Sequence, residues 1–281
     1  MQYHGKSIDT FEYSVAMLLI NNGYCLIPHA DCISQRCFAF QIEDEWNRHW
    51  IVPAVDPVTA IEKLFFLTGL LEKVKIIRGK EDIFDLMPKG CLLGPVEEYS
   101  RYSVQSFYYE GETKYLYVCG KEGDSFVVHD PEGFPVRLLT KSEMQATYNL
   151  DRSIAVLLER DGKQINNFDF SEVLREGMEC KRRMENWRNI ETKIEHCFQG
   201  LTRGQELALN YGLYNYLLQT GKILNLMESN GNIGDRDRIQ IGSMMGKMYK
   251  CVFHNCIKDF MNMKNVFFDY LDQLINMEGT R

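Results

Sequence analysis

The chain has 281 residues, 45% of them hydrophobic and 25% charged, with a formal net charge of −7. That length holds one large domain or two ordinary ones, and the composition is that of a globular protein with a sizeable core. An acidic balance without basic runs or arginine–aromatic interleaving argues against nucleic acid, and apolar runs such as Val15–Ile20 fall short of the roughly 18 residues that span a bilayer.

In chain order, the first legible element is a helix over residues 9–22. Asp9 and Glu12 form a capping-box pair, Phe11, Val15, Leu18 and Leu19 share one face, and Gly23 supplies a stop. Thr10 falls in its first turn, at the positive end of the helix dipole. Residues 24–55 break into short apolar pieces (Cys25–Ile27, Cys37–Ile42, Trp50–Val52), which read as short strands or extended loops. Asp56-Pro57 opens a second helix running to about Leu71. Val74–Ile77 reads as a strand, Lys80–Met87 as a short helix stopped by Pro88 and Gly90, and Cys91–Val96 as a strand with Tyr99 at its exit.

The stretch Lys114–Gly133, KYLYVCGKEGDSFVVHDPEG, reads as a β-hairpin. Its strands are Tyr115–Cys119 and Phe126–Val128, its turn is Gly-Lys-Glu-Gly-Asp, and a His-Asp-Pro-Glu-Gly corner closes it. Pairing of the two strands is expected to bring Lys114 near His129 and Asp130. A second capping box, Thr140 with Glu143, starts a helix to about Tyr148, and Ser153–Leu158 is a last strand. Helices mixed with adjacent antiparallel strands predict an α+β domain over residues 1–160.

Composition changes after Gly162, and residues 165–281 read as a helical region, a bundle suited to oligomerisation. Three long helices are expected, over about Asp169–Phe198, Gly204–Ser229 and Asp235–Met277. Met244, Met245, Met248, Val252 and Phe253 recur at helical spacing, a core or subunit-interface stripe. Gly212, Gly221, Gly242 and Gly246 are expected to allow close helix approach.

The opening MQYHGKSIDTFEYS carries no basic segment leading into an apolar one, so no secretory leader is expected. Nine cysteines without a CxxC frame read as reduced, mostly buried thiols of a cytoplasmic protein. Cys251 and Cys256 with His254 and His196 do not have zinc spacing, because a helix joins i to i+3 or i+4 rather than i+5. Neither a metal nor another cofactor is expected.

The helix opened by Asp9-Thr10, the later hairpin and the phrase VVHDPEG together resemble the papain-like (cysteine-peptidase-like) fold. Within it they are most similar to the peptidase-C39-like group and to the N-terminal-domain family of butirosin biosynthesis protein H. The resemblance covers residues 1 to 160 and implies an acyltransferase-type domain that takes an acyl group from a carrier protein. In that group a cysteine opens the first helix, a histidine starts a later strand and an aspartate or asparagine ends the next. A thiolate favoured by the helix dipole attacks, the histidine carries the proton and the acid orients the ring.

Carried over by position, the cysteine's place falls on Thr10, counting back from Gly23, and the histidine's on Lys114, counting back from Gly120. Asp130 alone keeps the family's residue type. A threonine hydroxyl without a neutral base is a poor nucleophile, and a lysine of ordinary pKa, ~10.4, is protonated at neutral pH. The sequence therefore leads first to a catalytically silent, acyltransferase-like binding or scaffolding protein of a secondary-metabolite pathway, of peptide or aminoglycoside type. Its expected partners are a carrier protein, a biosynthetic enzyme or a second copy, with no nucleic acid and no membrane. Asp9, His129, Tyr99 and Tyr102 are candidate binding residues, the two tyrosines with Tyr108 and Tyr109 as a small-molecule pocket. The alternative is an active acyl- or amide-transfer enzyme, either on Thr10, Lys114 and Asp130 with a lysine neutralised by burial, or on Cys25, Cys32 or Cys37 with His29 or His129.

Overall fold

A computed structural model describes residues 10–24, 30–45, 48–79, 83–87, 90–97, 113–129, 136–159, 169–183, 203–229, 231, 233–254 and 256–278. The protein is α+β, and its backbone divides into two compact units. The first comprises Met1–Ala30 and Leu64–Asn167, the second Asp31–Lys63 and Phe168–Arg281.

Helix α1 of the first unit, Thr10–Asn21, is buried from Phe11 to Leu19 with no exposed face, Glu12 and Ser14 included. The expected single apolar stripe is therefore not what it presents. It packs on β4 (Cys91–Glu97), β5 (Thr113–Glu122) and β8 (Ile154–Leu158). These belong to a six-stranded antiparallel sheet of order β3-β8-β4-β5-β6-β7, completed by β3 (Val74–Arg78), β6 (Ser125–His129) and β7 (Arg137–Thr140). The last strand in sequence, β8, is inserted between β3 and β4. Its unbroken apolar run, IAVLL, suits a strand buried on both faces. One set of alternate residues, among them Leu93, Leu116, Val118, Phe126, Val128 and Ala155, forms a core with α4 (Ile83–Leu86) and α5 (Lys141–Thr147).

The hairpin forms with a tighter turn than expected. Its strands continue to Glu122 and from Ser125, and the loop is Gly123-Asp124, with Gly123 at φ +59. Its register also differs. Tyr117 pairs with His129 and Val118 with Val128, then Gly120 pairs with Val127, leaving Cys119 as an extra residue. Lys114 pairs with Val96 of β4 instead. It stands three residues along the strand from the partner of His129, roughly 10 Å away at ~3.4 Å per residue. The expectation that Lys114 lies beside His129 is corrected.

In the second unit, α2 is Ala30–Ile33 and β1 (Phe40–Glu45) pairs with β2 (Arg48–Pro53) as an antiparallel hairpin. The expected piece Cys37–Ile42 thus starts as a strand only at Phe40. Helix α3, Pro57–Leu67, starts in the second unit and ends in the first, and it opens as expected: the Asp56 carboxylate accepts from the N–H groups of Val58 and Thr59 at 3.0 and 3.1 Å. It ends before Leu71 because Gly69, at φ +72, turns the chain, and Leu70 N–H donates to Phe65 O at 2.7 Å.

Helix α6 is Phe170–Arg183, and α7 is Arg203–Ser229. The long helix expected over Asp235–Met277 is two helices, α8 (Asp235–Phe253) and α9 (Ile257–Glu278). Cys256 N–H closes back on Cys251 O at 2.8 Å, ending α8. Neither glycine nor proline marks this break. The run Val-Phe-His-Asn-Cys does, since every member is a weak helix former.

An aromatic core joins these elements. Phe40 meets Tyr216 edge-on at 4.8 Å, and Tyr216 meets Phe260 at 6.2 Å. Ile241, Met245, Met248 and Val252 of α8 are buried, whereas Phe253 is 85% exposed and so leaves the expected methionine stripe. Of the four glycines expected to admit a helix, only Gly212 meets a neighbour, and that neighbour is Ile51 of β2. Gly221, Gly242 and Gly246 face open space.

Candidate functional site

Helix α1 begins against the start of β5. The Thr10 hydroxyl accepts a hydrogen bond from the Tyr115 backbone N–H at 3.0 Å, and the Phe11 ring meets the Tyr115 ring edge-on at 5.1 Å. Two positions selected from sequence, Thr10 and Lys114, are thereby brought to one place, because Lys114 immediately precedes Tyr115 on β5. The Lys114 side chain is outside the description, as are Asp130, Asp9, Tyr99, Tyr102, Tyr108, Tyr109, Cys25 and His29.

One turn along α1, Tyr13 lies on the same helix face as Thr10. Its hydroxyl shares a 3.1 Å hydrogen bond with Nδ1 of His129. Tyr13 is fully buried and His129 is 1% exposed. The sequence singled out His129 and missed Tyr13, although the i, i+3 relation to Thr10 was the available signal. This tyrosine–histidine link ties α1 to the end of β6.

Burial lowers the pKa of His129 below its ordinary 6.5, which keeps the imidazole neutral. A neutral buried histidine binds fewer protons than the same group in the unfolded chain. Its contribution to stability is then complete above 6.5 and is lost as pH falls from 6.5 through the folded value. Urea midpoints measured across that range are expected to drop for the native protein. A His129→Gln variant should lose less stability over the same range, and equal slopes for the two proteins would refute the assignment.

The described thiols of this unit are held protonated. Burial pushes Cys91 up to about 12 and the half-buried Cys119 to about 11, and it raises Tyr117 between them as well. Cys32 and Cys37 of the second unit are wholly buried. Among the described residues no three His, Cys, Asp or Glu side chains are grouped to hold a metal ion. No described helix is long and apolar enough to cross a membrane.

The geometry at α1 and β5 is a hydroxyl at a helix N-terminus with an N–H bound to it. Donation from Tyr115 draws electron density from the Thr10 oxygen and occupies one of its two lone pairs, which makes it a weaker nucleophile. The arrangement fixes the helix to the sheet. No family model matches the sequence, and no curated protein matches it.

Proposed function

We propose that the first unit is a papain-like, acyltransferase-type domain whose catalytic positions serve packing, and that the protein is a binding or scaffolding partner in a secondary-metabolite pathway. Its partner in this reading is an acyl or peptidyl carrier protein or a biosynthetic enzyme. The observation that carries the reading is the Thr10–Tyr115 hydrogen bond. It joins the helix N-terminus and the strand start that such a domain would use for nucleophile and base, and it gives the hydroxyl a packing role as acceptor for a backbone amide. The elevated pKa values of Cys91 and Cys119 support the same conclusion, since protonated thiols are weak nucleophiles. Free thiols among the described residues, Cys32 and Cys91 included, support a reducing, cytoplasmic setting.

Incubation with an acyl-thioester probe and with a fluorophosphonate, read by intact-protein mass spectrometry, is expected to give no adduct at Thr10. An adduct that disappears in Thr10→Ala would establish the active alternative built on Thr10, Lys114 and Asp130. Thr10→Ala itself is expected to cost about 1–2 kcal/mol in urea denaturation, because it leaves the Tyr115 N–H without its acceptor. Its affinity for acyl carrier protein, followed by fluorescence anisotropy, should equal that of the native chain. Failure of the native chain to bind acyl carrier protein would remove that partner from the reading.

A further inference from the structure

Helix α8 has two faces of different character. Ile241, Met245, Met248 and Val252 are buried in the second unit. A separate exposed face carries Asp235, Ile239, Gly242, Ser243, Gly246 and Lys250, at spacings of i, i+4, i+7/i+8, i+11 and i+15. Ile239 is 70% exposed, and a Cβ built on Gly242 or Gly246 meets nothing within 4 Å. The face thus presents one large apolar knob, a hollow floored by two glycines, an acid at one end and a lysine at the other.

We propose that this face is a docking surface for a second copy of the chain, with the two α8 helices antiparallel. A two-fold axis between Gly242 and Ser243 generates every pairing at once. It sets Ile239 of each copy over Gly246 of the other, Gly242 against Ser243, and Asp235 against Lys250. Asp235 and Lys250 are exposed, and among the described residues neither makes an ion pair within its own chain. Symmetry forms that charge pair twice, once at each end of the contact. Knob against hollow and acid against lysine make the face complementary to itself, which is what selects a second copy over an unrelated partner. Phe253, 85% exposed at the end of α8, extends the contact over the turn at Ile233 of the second copy. A single helix pair is small for an interface, so the dimer is a weak one that grows in with concentration. The inference concerns the second unit alone and does not depend on the reading of the first.

Sedimentation velocity of the full chain over a concentration series tests it. A reversible dimer is expected, weakened by salt. Ile239→Asp is expected to leave a monomer. Asp235→Lys and Lys250→Asp should each weaken association by about tenfold or more, because each single reversal creates two like-charge contacts. The double variant Asp235→Lys/Lys250→Asp should restore it. All three positions changed lie on the surface, so each of the four variants should keep the circular dichroism spectrum of the native chain. A monomer at every concentration, a dimer indifferent to Ile239→Asp, or a double variant no tighter than the singles would each overturn the proposal.

Discussion

Phe84→Ala is expected to destabilise the first unit by about 3–5 kcal/mol, the cost of removing a large buried ring and leaving its cavity. Phe84 is 1% exposed and sits on the four-residue helix α4, with Phe126 of β6 at 6.1 Å and Tyr148 at 5.6 Å between ring centroids. A helix so short has no stability of its own, because nucleation costs more than one turn returns. It holds its place through Ile83, Phe84 and Met87, all buried against the sheet. Removing the ring therefore loosens the element along with the contact. A domain of ordinary stability has about 5–15 kcal/mol in total, so the loss should be plain in a urea titration. Phe84→Leu, which retains most of the volume, should cost less, about 1–2 kcal/mol. A loss below about 1 kcal/mol for Phe84→Ala would show that the ring is not part of the core.

Gly177→Ala is the second large effect, and its sign is opposite to that of the same substitution at Gly221. A Cβ on Gly177 would stand 2.5 Å from two atoms of the Phe38 ring, which is fully buried and has no room to retreat. Overpacking of this kind costs about 1–3 kcal/mol, more than the gain in helix propensity returns. At Gly221, within α7, a Cβ meets nothing within 4 Å, so alanine there should stabilise by about 0.5–1 kcal/mol. Chemical denaturation of the two variants side by side separates packing from propensity, since the change in propensity is the same in both. Phe38→Leu should partly rescue Gly177→Ala, a coupling that a double-mutant cycle measures directly. Equal effects at the two glycines would refute the packing argument.

Several elements were legible in the sequence because their signals are local. The Thr140–Glu143 capping box forms in full, with Glu143 N–H donating to the Thr140 hydroxyl and Thr140 N–H to the Glu143 carboxylate. Asp56-Pro57 starts α3, and the strands at Val74, Cys91 and Ile154 lie where apolar runs place them. A cap or a short strand depends on residues within a few positions of itself, so its chemistry is written in adjacent letters. The break after Phe253 was missed because five weak helix formers in a row give a fainter signal than one glycine or proline.

The candidate site was legible only in part. Sequence placed Thr10 at a helix start and Lys114 at a strand start, and the fold joins those two ends through the Tyr115 N–H. Their joint use in catalysis or in binding remains a proposal. The link between Tyr13 and His129 spans 116 residues and was invisible in the sequence. The two-residue turn and the one-residue shift at Cys119 together set Tyr117 against His129, three residues from Lys114.

What the sequence determined by itself was the α+β class, the caps at Asp56 and Thr140 and the presence of the hairpin, each written in local turn chemistry and in the spacing of apolar side chains. The tertiary structure alone decided the strand order, the register at the bulge, the burial of α1 on all sides and the grouping of residues 31–63 with the helices of the second unit. The physical reason is the range of the forces concerned. Hydrogen bonds at caps and turns close over a few residues, whereas register and burial follow from the combined packing of segments far apart in the chain.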